Sequence, residues 1–216
     1  MTNLLFHGDN QLASRQALHQ ALKAEQGREV VKLDGSKITD TDLLQALESQ
    51  SLFGQAKLVV IDKLPIKLIA TLAPYQADTP VFIWHNQALT PSQLKKLSNF
   101  TPQLFKIPAA VFNFLDSLKP GNPKVTLAAI ETAVAAEPVE QVFYMLHRRI
   151  SQLIQAKDAP ETLKLADWQK SRLTSQAKAF SLDQLLQLHS QFLNIDTAVK
   201  TGTTITPLTT ALELLL

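Results

Sequence analysis

The strongest constraint on the fold is a change of rhythm near residue 108. Before it, short apolar runs alternate with helical patterns; after it, only helical spacing remains. "NLLFHG" (3–8), "REVVKLDG" (28–35), "AKLVVID" (56–62), "TPVFIWH" (79–85) and "QLFKIP" (103–108) read as strands. Between them, "NQLASRQALHQALKAE" (10–25), "TDTDLLQALES" (39–49), "PIKLIATLA" (65–73) and "TPSQLKKLS" (90–98) read as helices. Asn10 and Thr90 are placed to cap, and Pro91 suits a first helical position. Leu12, Leu18 and Leu22, then Leu43, Leu44 and Leu47, recur at helical spacing. Strand and helix alternating through short connections predict a mostly parallel sheet with helices on both faces. Residues 1–108 are therefore expected to form a three-layer α/β domain.

Residues 109–216 carry no strand pattern. Apolar positions follow three-and-four spacing at Phe112, Leu115 and Leu118, at Val142, Met145, Leu146, Ile150, Leu153 and Ile154, and at Leu182, Leu185, Leu186, Leu188, Phe192, Leu193 and Ile195. Helix-breaking loops ("KPGNPK", "AEPVE", "KDAPE", "GTTITP") separate them. This half is expected to be an α-helical bundle of about six helices.

Composition narrows the chemistry. The chain has no cysteine, which excludes a disulfide framework, cysteine-ligated zinc, iron–sulfur clusters and thiol catalysis. A reducing, cytoplasmic setting fits. The N-terminus lacks a signal-peptide pattern, and no apolar run is long enough for a membrane span. Net charge is only +2, with both signs mixed, so any DNA contact must come from local patches.

The turn "HGDNQLASRQAL" sits where a phosphate-binding loop would sit. Gly8 is alone there, the loop is short, and no Gly-Lys-Ser/Thr follows, so Gly8 reads as a turn glycine. "LVVID" resembles an apolar strand ending in a magnesium-supporting carboxylate, but Lys63 follows, and Asp62 reads as a strand-end residue or a helix cap. The five histidines (His7, His19, His85, His147, His189) show no metal-ligand spacing. His147-Arg148-Arg149 is a short basic cluster that reads as a solvated face before it reads as a DNA or partner contact. Trp84 and Trp168 read as core or interface anchors. No catalytic, cofactor-binding or metal-binding residue is assigned.

One stretch is unusual. "SQSLFGQAKLVVID" places Leu52-Phe53 at a turn, just before Gly54. The pair either tucks under its own helix or is held out for a partner.

Several stretches together resemble the delta subunit of the bacterial DNA polymerase III clamp loader. They are "LLFHGDNQLASRQAL", "VVKLDGSKITDTDLLQALESQSLFGQAKLVVID", "VFNFLDSLKPGNPKVTLAAIETAV", "MLHRRISQLIQAK" and "FSLDQLLQLHSQFLNIDTAVKTG". They cover most of the chain, and the part around Ser51-Leu52-Phe53-Gly54 is the most specific. The resemblance implies a degenerate AAA+-type, P-loop-like α/β domain without working ATPase residues, followed by a helical collar domain. It implies that Leu52 and Phe53, with Ser51 beside them, enter an apolar cleft of the ring-shaped sliding clamp and help open it. It implies partnership with delta-prime and gamma/tau subunits through residues 109–216, and DNA contact that is indirect or weak. No cofactor is implied. The chain departs from the family where "KIPAAVFNFLD" runs from the last strand into the collar-like helix, with no room for a lid domain. The delta-prime subunit fits less well, because it usually carries zinc-binding cysteines. Two other readings stay open: a divergent P-loop-like ATPase, and a scaffold that joins loader subunits without touching the clamp.

Overall fold

The computed structural model describes residues 2–49, 54–75 and 79–215. The chain divides into two compact units, 1–107 and 108–216.

The first unit is built on five parallel strands: β1 (Asn3–Gly8), β2 (Glu29–Asp34), β3 (Lys57–Asp62), β4 (Val81–His85) and β5 (Phe100–Phe105). Their order across the sheet is β2-β3-β4-β1-β5. The helices are α1 (Gln11–Ala24), α2 (Asp40–Glu48), the single turn α3 (Ile69–Leu72) and α4 (Pro91–Lys96). The expected parallel α/β class is the one observed.

Side chains alternate between the two faces of the sheet, as a period of two requires. Leu5, Val59, Ile61, Val81 and Ile83 enter one core with Leu43 and Leu47 of α2, Ile69 and Leu72 of α3, and Leu97 after α4. Phe6, Leu58, Val60, Phe82 and Trp84 enter the other with Leu18 of α1. Burial on both faces explains why β3 and β4 read as unbroken apolar runs. At the edge, β2 alternates instead: Val31 and Leu33 are half-buried, while Val30 and Lys32 are exposed.

Local chemistry sets the helix ends. The Asn10 side chain accepts from Ala13 N–H at 3.1 Å. Thr39 with Asp42, and Thr90 with Gln93, form reciprocal capping boxes that satisfy first-turn donors.

The fifth strand lies three residues upstream of its expected position. "QLFKIP" was the apolar-looking run, yet the strand pairs Phe100 to Phe105 with Asn3 to Gly8. Pro102 disguised it. A proline is tolerated here because β5 is an edge strand, where a missing donor can face solvent. Leu12 and Leu44, expected on buried faces, are exposed at 37% and 39%.

The second unit contains α5 (Ala109–Ser117), α6 (Pro123–Ala136), α7 (Val139–Asp158), α8 (Asp167–Ala177), α9 (Leu182–Thr201) and α10 (Leu208–Leu215). Helix α7 packs against all five others. It buries the stripe Val142, Phe143, Leu146, Ile150, Leu153 and Ala156. Phe143 meets Phe192 of α9 with ring centroids 5.2 Å apart. Helix α9 starts on a Ser181–Gln184 capping box and stops at Gly202, whose φ of 66° is the left-handed conformation that glycine adopts freely. Of its many apolar positions only Leu185 and Phe192 are fully buried, and Leu186 and Leu193 are exposed. No helix among the described residues is long and apolar enough to cross a membrane.

Candidate functional site

Two places in the first unit bear on function: the turn between β1 and α1, and the base of the segment that carries Leu52 and Phe53.

The β1–α1 turn lies where the strand order reverses. Helix α1 leaves on one face of the sheet, and the helices that follow β2, β3 and β4 lie on the other. In open α/β sheets ligands bind at such a switch point, beyond the carboxyl ends of the strands. Here the turn is closed by the chain itself. Gly8 N–H donates to Gln87 O at 3.1 Å, Asn10 N–H to Phe105 O at 3.1 Å, Gln11 N–H to Asp9 O at 3.0 Å and Ser14 N–H to Asn10 O at 3.1 Å. Ser14 N–H makes the ordinary helical bond; with Ala13 held by the Asn10 side chain, four other backbone donors of the turn, at Gly8, Asn10, Gln11 and Ala13, are engaged. Asp9 adds a carboxylate, which accepts from Ile107 N–H at 3.0 Å. Gly8 is required for packing: at φ 138°, an added Cβ would stand 1.9 Å from Phe105 O.

Behind this turn Asp62 ends β3. It is neither free nor a helix cap. Arg15 of α1 meets both its oxygens, Nη1 to Oδ2 at 2.8 Å and Nη2 to Oδ1 at 2.9 Å. The same guanidinium lies 3.5 Å from the centroid of the Trp84 ring, close enough for a cation–π contact. Trp84 Nε1 donates to Ser14 Oγ at 2.9 Å. Trp84 is thus a core anchor, as expected. His7 and His85 are register partners on β1 and β4. Burial holds both imidazoles below their ordinary range, and His85 adds to the effect on His7. His7 Nδ1 accepts from Leu89 N–H at 3.1 Å, which leaves its proton on Nε2.

Ser51, Leu52 and Phe53 lie outside the described residues. The two ends of their segment are described, and one side chain ties them together. Lys57, the first residue of β3, is 8% exposed. Its ammonium reaches back to the end of α2, donating to Ala46 O at 2.5 Å, to Ser49 O, and to Ser49 Oγ at 3.0 Å. A cation at the carbonyl end of a helix satisfies orphan acceptors and opposes the dipole. Burial pulls the Lys57 ammonium below its usual range, and the nearby Glu29 carboxylate partly offsets this. Tyr75 adds a hydroxyl donor to Leu47 O at 3.4 Å. The segment therefore leaves α2 and enters β3 at a fixed root.

The basic cluster on α7 does not act as one patch. Arg148 is exposed. Arg149 is tied to Asp116 at 2.9 Å and to Gln176 Oε1 at 2.8 Å, and Arg172 shares Asp116 at 2.5 Å. His147 turns toward α9, with its Nε2 3.3 Å from that of His189. Trp168 is 67% exposed and lines a groove of about 420 Å³ with Phe112, Met145 and Arg148. The roles of Arg15, Lys57, Asp116 and His189 were not visible in the sequence, because each depends on a residue distant along the chain or on another helix.

No family model matches the sequence, and no curated protein matches it. Among solved structures, the chain is similar to the Bacillus subtilis DNA clamp loader delta protein, at 9% identity and a TM-score of 0.48, over 100% of this chain and 94% of that one. It is also similar to a DNA polymerase III gamma subunit-related protein from Thermotoga maritima, at 13% identity and a TM-score of 0.36, over 89% of this chain and 78% of that one. A chain in a structure of Drosophila ORC bound to GC-rich DNA and Cdc6 is similar at 13% identity and a TM-score of 0.28, over 89% of this chain and 46% of that one.

Proposed function

We propose that this chain is a non-catalytic, delta-type subunit of a cytoplasmic DNA clamp loader. Residues 1–108 are its degenerate AAA+-like domain, and residues 109–216 join it to delta-prime-type and gamma/tau-type subunits as a collar domain. Leu52 and Phe53, flanked by Ser51, enter an apolar cleft on the sliding clamp and help open the ring. The observation that carries the non-catalytic part is the β1–α1 turn. It stands at the switch point of a nucleotide-type sheet, yet the N–H groups of Gly8, Asn10, Gln11 and Ala13 are spent on the chain's own oxygens and Asp9 brings a negative charge to the place a phosphate would need. The clamp-binding part rests on the resemblance of residues 30–62 to the family and on the fixed root at Lys57. A rigid root limits the entropy lost when an anchor docks. Burying a leucine and a phenylalanine contributes on the order of 3–6 kcal/mol before ordering costs, enough for a hot spot. Only Lys106 to Pro108 connect β5 to α5, so in this reading the subunit is a short form without a lid domain.

The test is calorimetry of the purified chain with the sliding clamp of the same organism, wild type beside Leu52→Ala/Phe53→Ala. Micromolar or tighter binding by wild type, lost in a folded double variant, is the expected result. Equal binding by both overturns the role of the pair. Phosphate release from ATP by the purified chain, abolished by Asp62→Ala, overturns the non-catalytic reading.

A further inference from the structure

His147 and His189 are 42 positions apart in sequence and belong to different helices, yet their Nε2 atoms are 3.3 Å apart. The ring centroids are separated by 4.9 Å, with the planes inclined at 38°. Two neutral imidazoles facing each other through the same nitrogen have two options. One ring can donate to the other, and 3.3 Å is long for that bond. Alternatively, both nitrogens present lone pairs, which repel unless a cation lies between them. Imidazole nitrogens bind zinc at about 2.0–2.1 Å, and tetrahedral geometry then sets two such nitrogens about 3.3–3.4 Å apart. The observed separation falls in that range.

The surroundings suit an ion. Both residues are partly open to solvent. Phe192 lies against the His147 ring at 5.9 Å and limits its movement. Among the described residues no third histidine or carboxylate completes a ligand set. Asp196, whose charge reaches His147, is paired with Lys200 at 2.6 Å.

We propose that His147 and His189 form a two-imidazole site for a divalent transition-metal ion of the zinc type, bridging α7 and α9 with the remaining coordination positions left to water. Imidazole donors select such ions over magnesium or calcium. A bound ion would hold the two longest helices of the second unit together.

The probe is zinc chloride, added to the metal-free full chain at about pH 7.5 and followed by calorimetry and by the histidine ring resonances in NMR. One saturable equivalent is expected. His147 and His189 rings shift together, the melting temperature rises, and His147→Gln and His189→Gln each abolish the saturable heat. Lowering the pH moves the midpoint to higher zinc, because protons compete for the same nitrogens. The proposal is overturned if wild type gives no saturable binding. It is equally overturned if the resonances that shift belong to His7, His19 or His85, a result wild type alone delivers even if a variant does not fold.

Discussion

Arg15 and Asp62, 47 residues apart, share two hydrogen bonds of 2.8 and 2.9 Å that tie the first turns of α1 to the end of β3. The pair stands where an ATPase would need its acidic residue free for a metal ion, and Trp84 covers the other side of the guanidinium. Both side chains are about two-fifths exposed (39% and 40%), so solvent screens much of the attraction. Arg15→Ala is expected to cost about 1–2 kcal/mol, from a screened ion pair plus a cation–π contact. Arg15→Lys should recover less than half of that, since a lysine cannot engage both carboxylate oxygens while lying flat on the indole. Urea denaturation of the two variants measures both values.

Gly8→Ala should be the more damaging change. The new methyl would meet the backbone of β5 at 1.9 Å, in a conformation with φ of 138° that alanine avoids. A loss above about 3 kcal/mol is expected, since the edge strand must move to admit the methyl. The denaturation midpoint tests this, and a change below about 1 kcal/mol would refute the close packing of β1 on β5.

Lys57→Met keeps the apolar stem and removes the ammonium from the end of α2. It should destabilise the chain by about 1–3 kcal/mol through lost charge-assisted hydrogen bonds. It should also speed amide exchange at Ser49, whose N–H donates to Gln45 O in the last turn. If the clamp is the partner, affinity should fall although Leu52 and Phe53 are intact, because the root that presents them has loosened.

Acid should weaken the fold through three histidines that burial holds below the ordinary imidazole range. Burial, with His189 beside it, holds the His147 imidazole below its ordinary range, so between its folded and unfolded pKa values the unfolded chain binds more protons. Stability is therefore complete above about pH 6.5 and declines as pH falls below it. His7 and His85 are shifted in the same direction and add to the slope. His147→Gln should show a smaller loss of stability between about pH 7 and pH 5 than wild type, measured as the urea midpoint against pH. An unchanged slope would place the acid sensitivity elsewhere.

The sequence revealed what depends on neighbours in the chain. The apolar runs of β3 and β4, the caps at Asn10 and Thr90, and the switch to helical spacing after residue 108 all rest on local pattern. What it missed depends on distant partners. Arg15 with Asp62, Arg149 with Asp116 and His147 with His189 meet only after the chain has folded. β5 was misplaced because Pro102 and the exposed Thr101 and Leu104 break the alternation that a buried strand would show. In α9 the apolar residues outnumber the neighbours available to cover them, so spacing alone overstated burial. Leu52 and Phe53 stand out in the sequence as a large apolar pair at a turn, and Ser51 joins them through the family resemblance.

The engaged donors of the β1–α1 turn have a consequence for binding. A binding site reports on solution because its ligand comes and goes with concentration. At this turn the acceptors are covalently part of the same chain, so their effective concentration never varies. A phosphate entering this turn would have to displace internal bonds that are always at hand, so the engaged donors compete with any ligand.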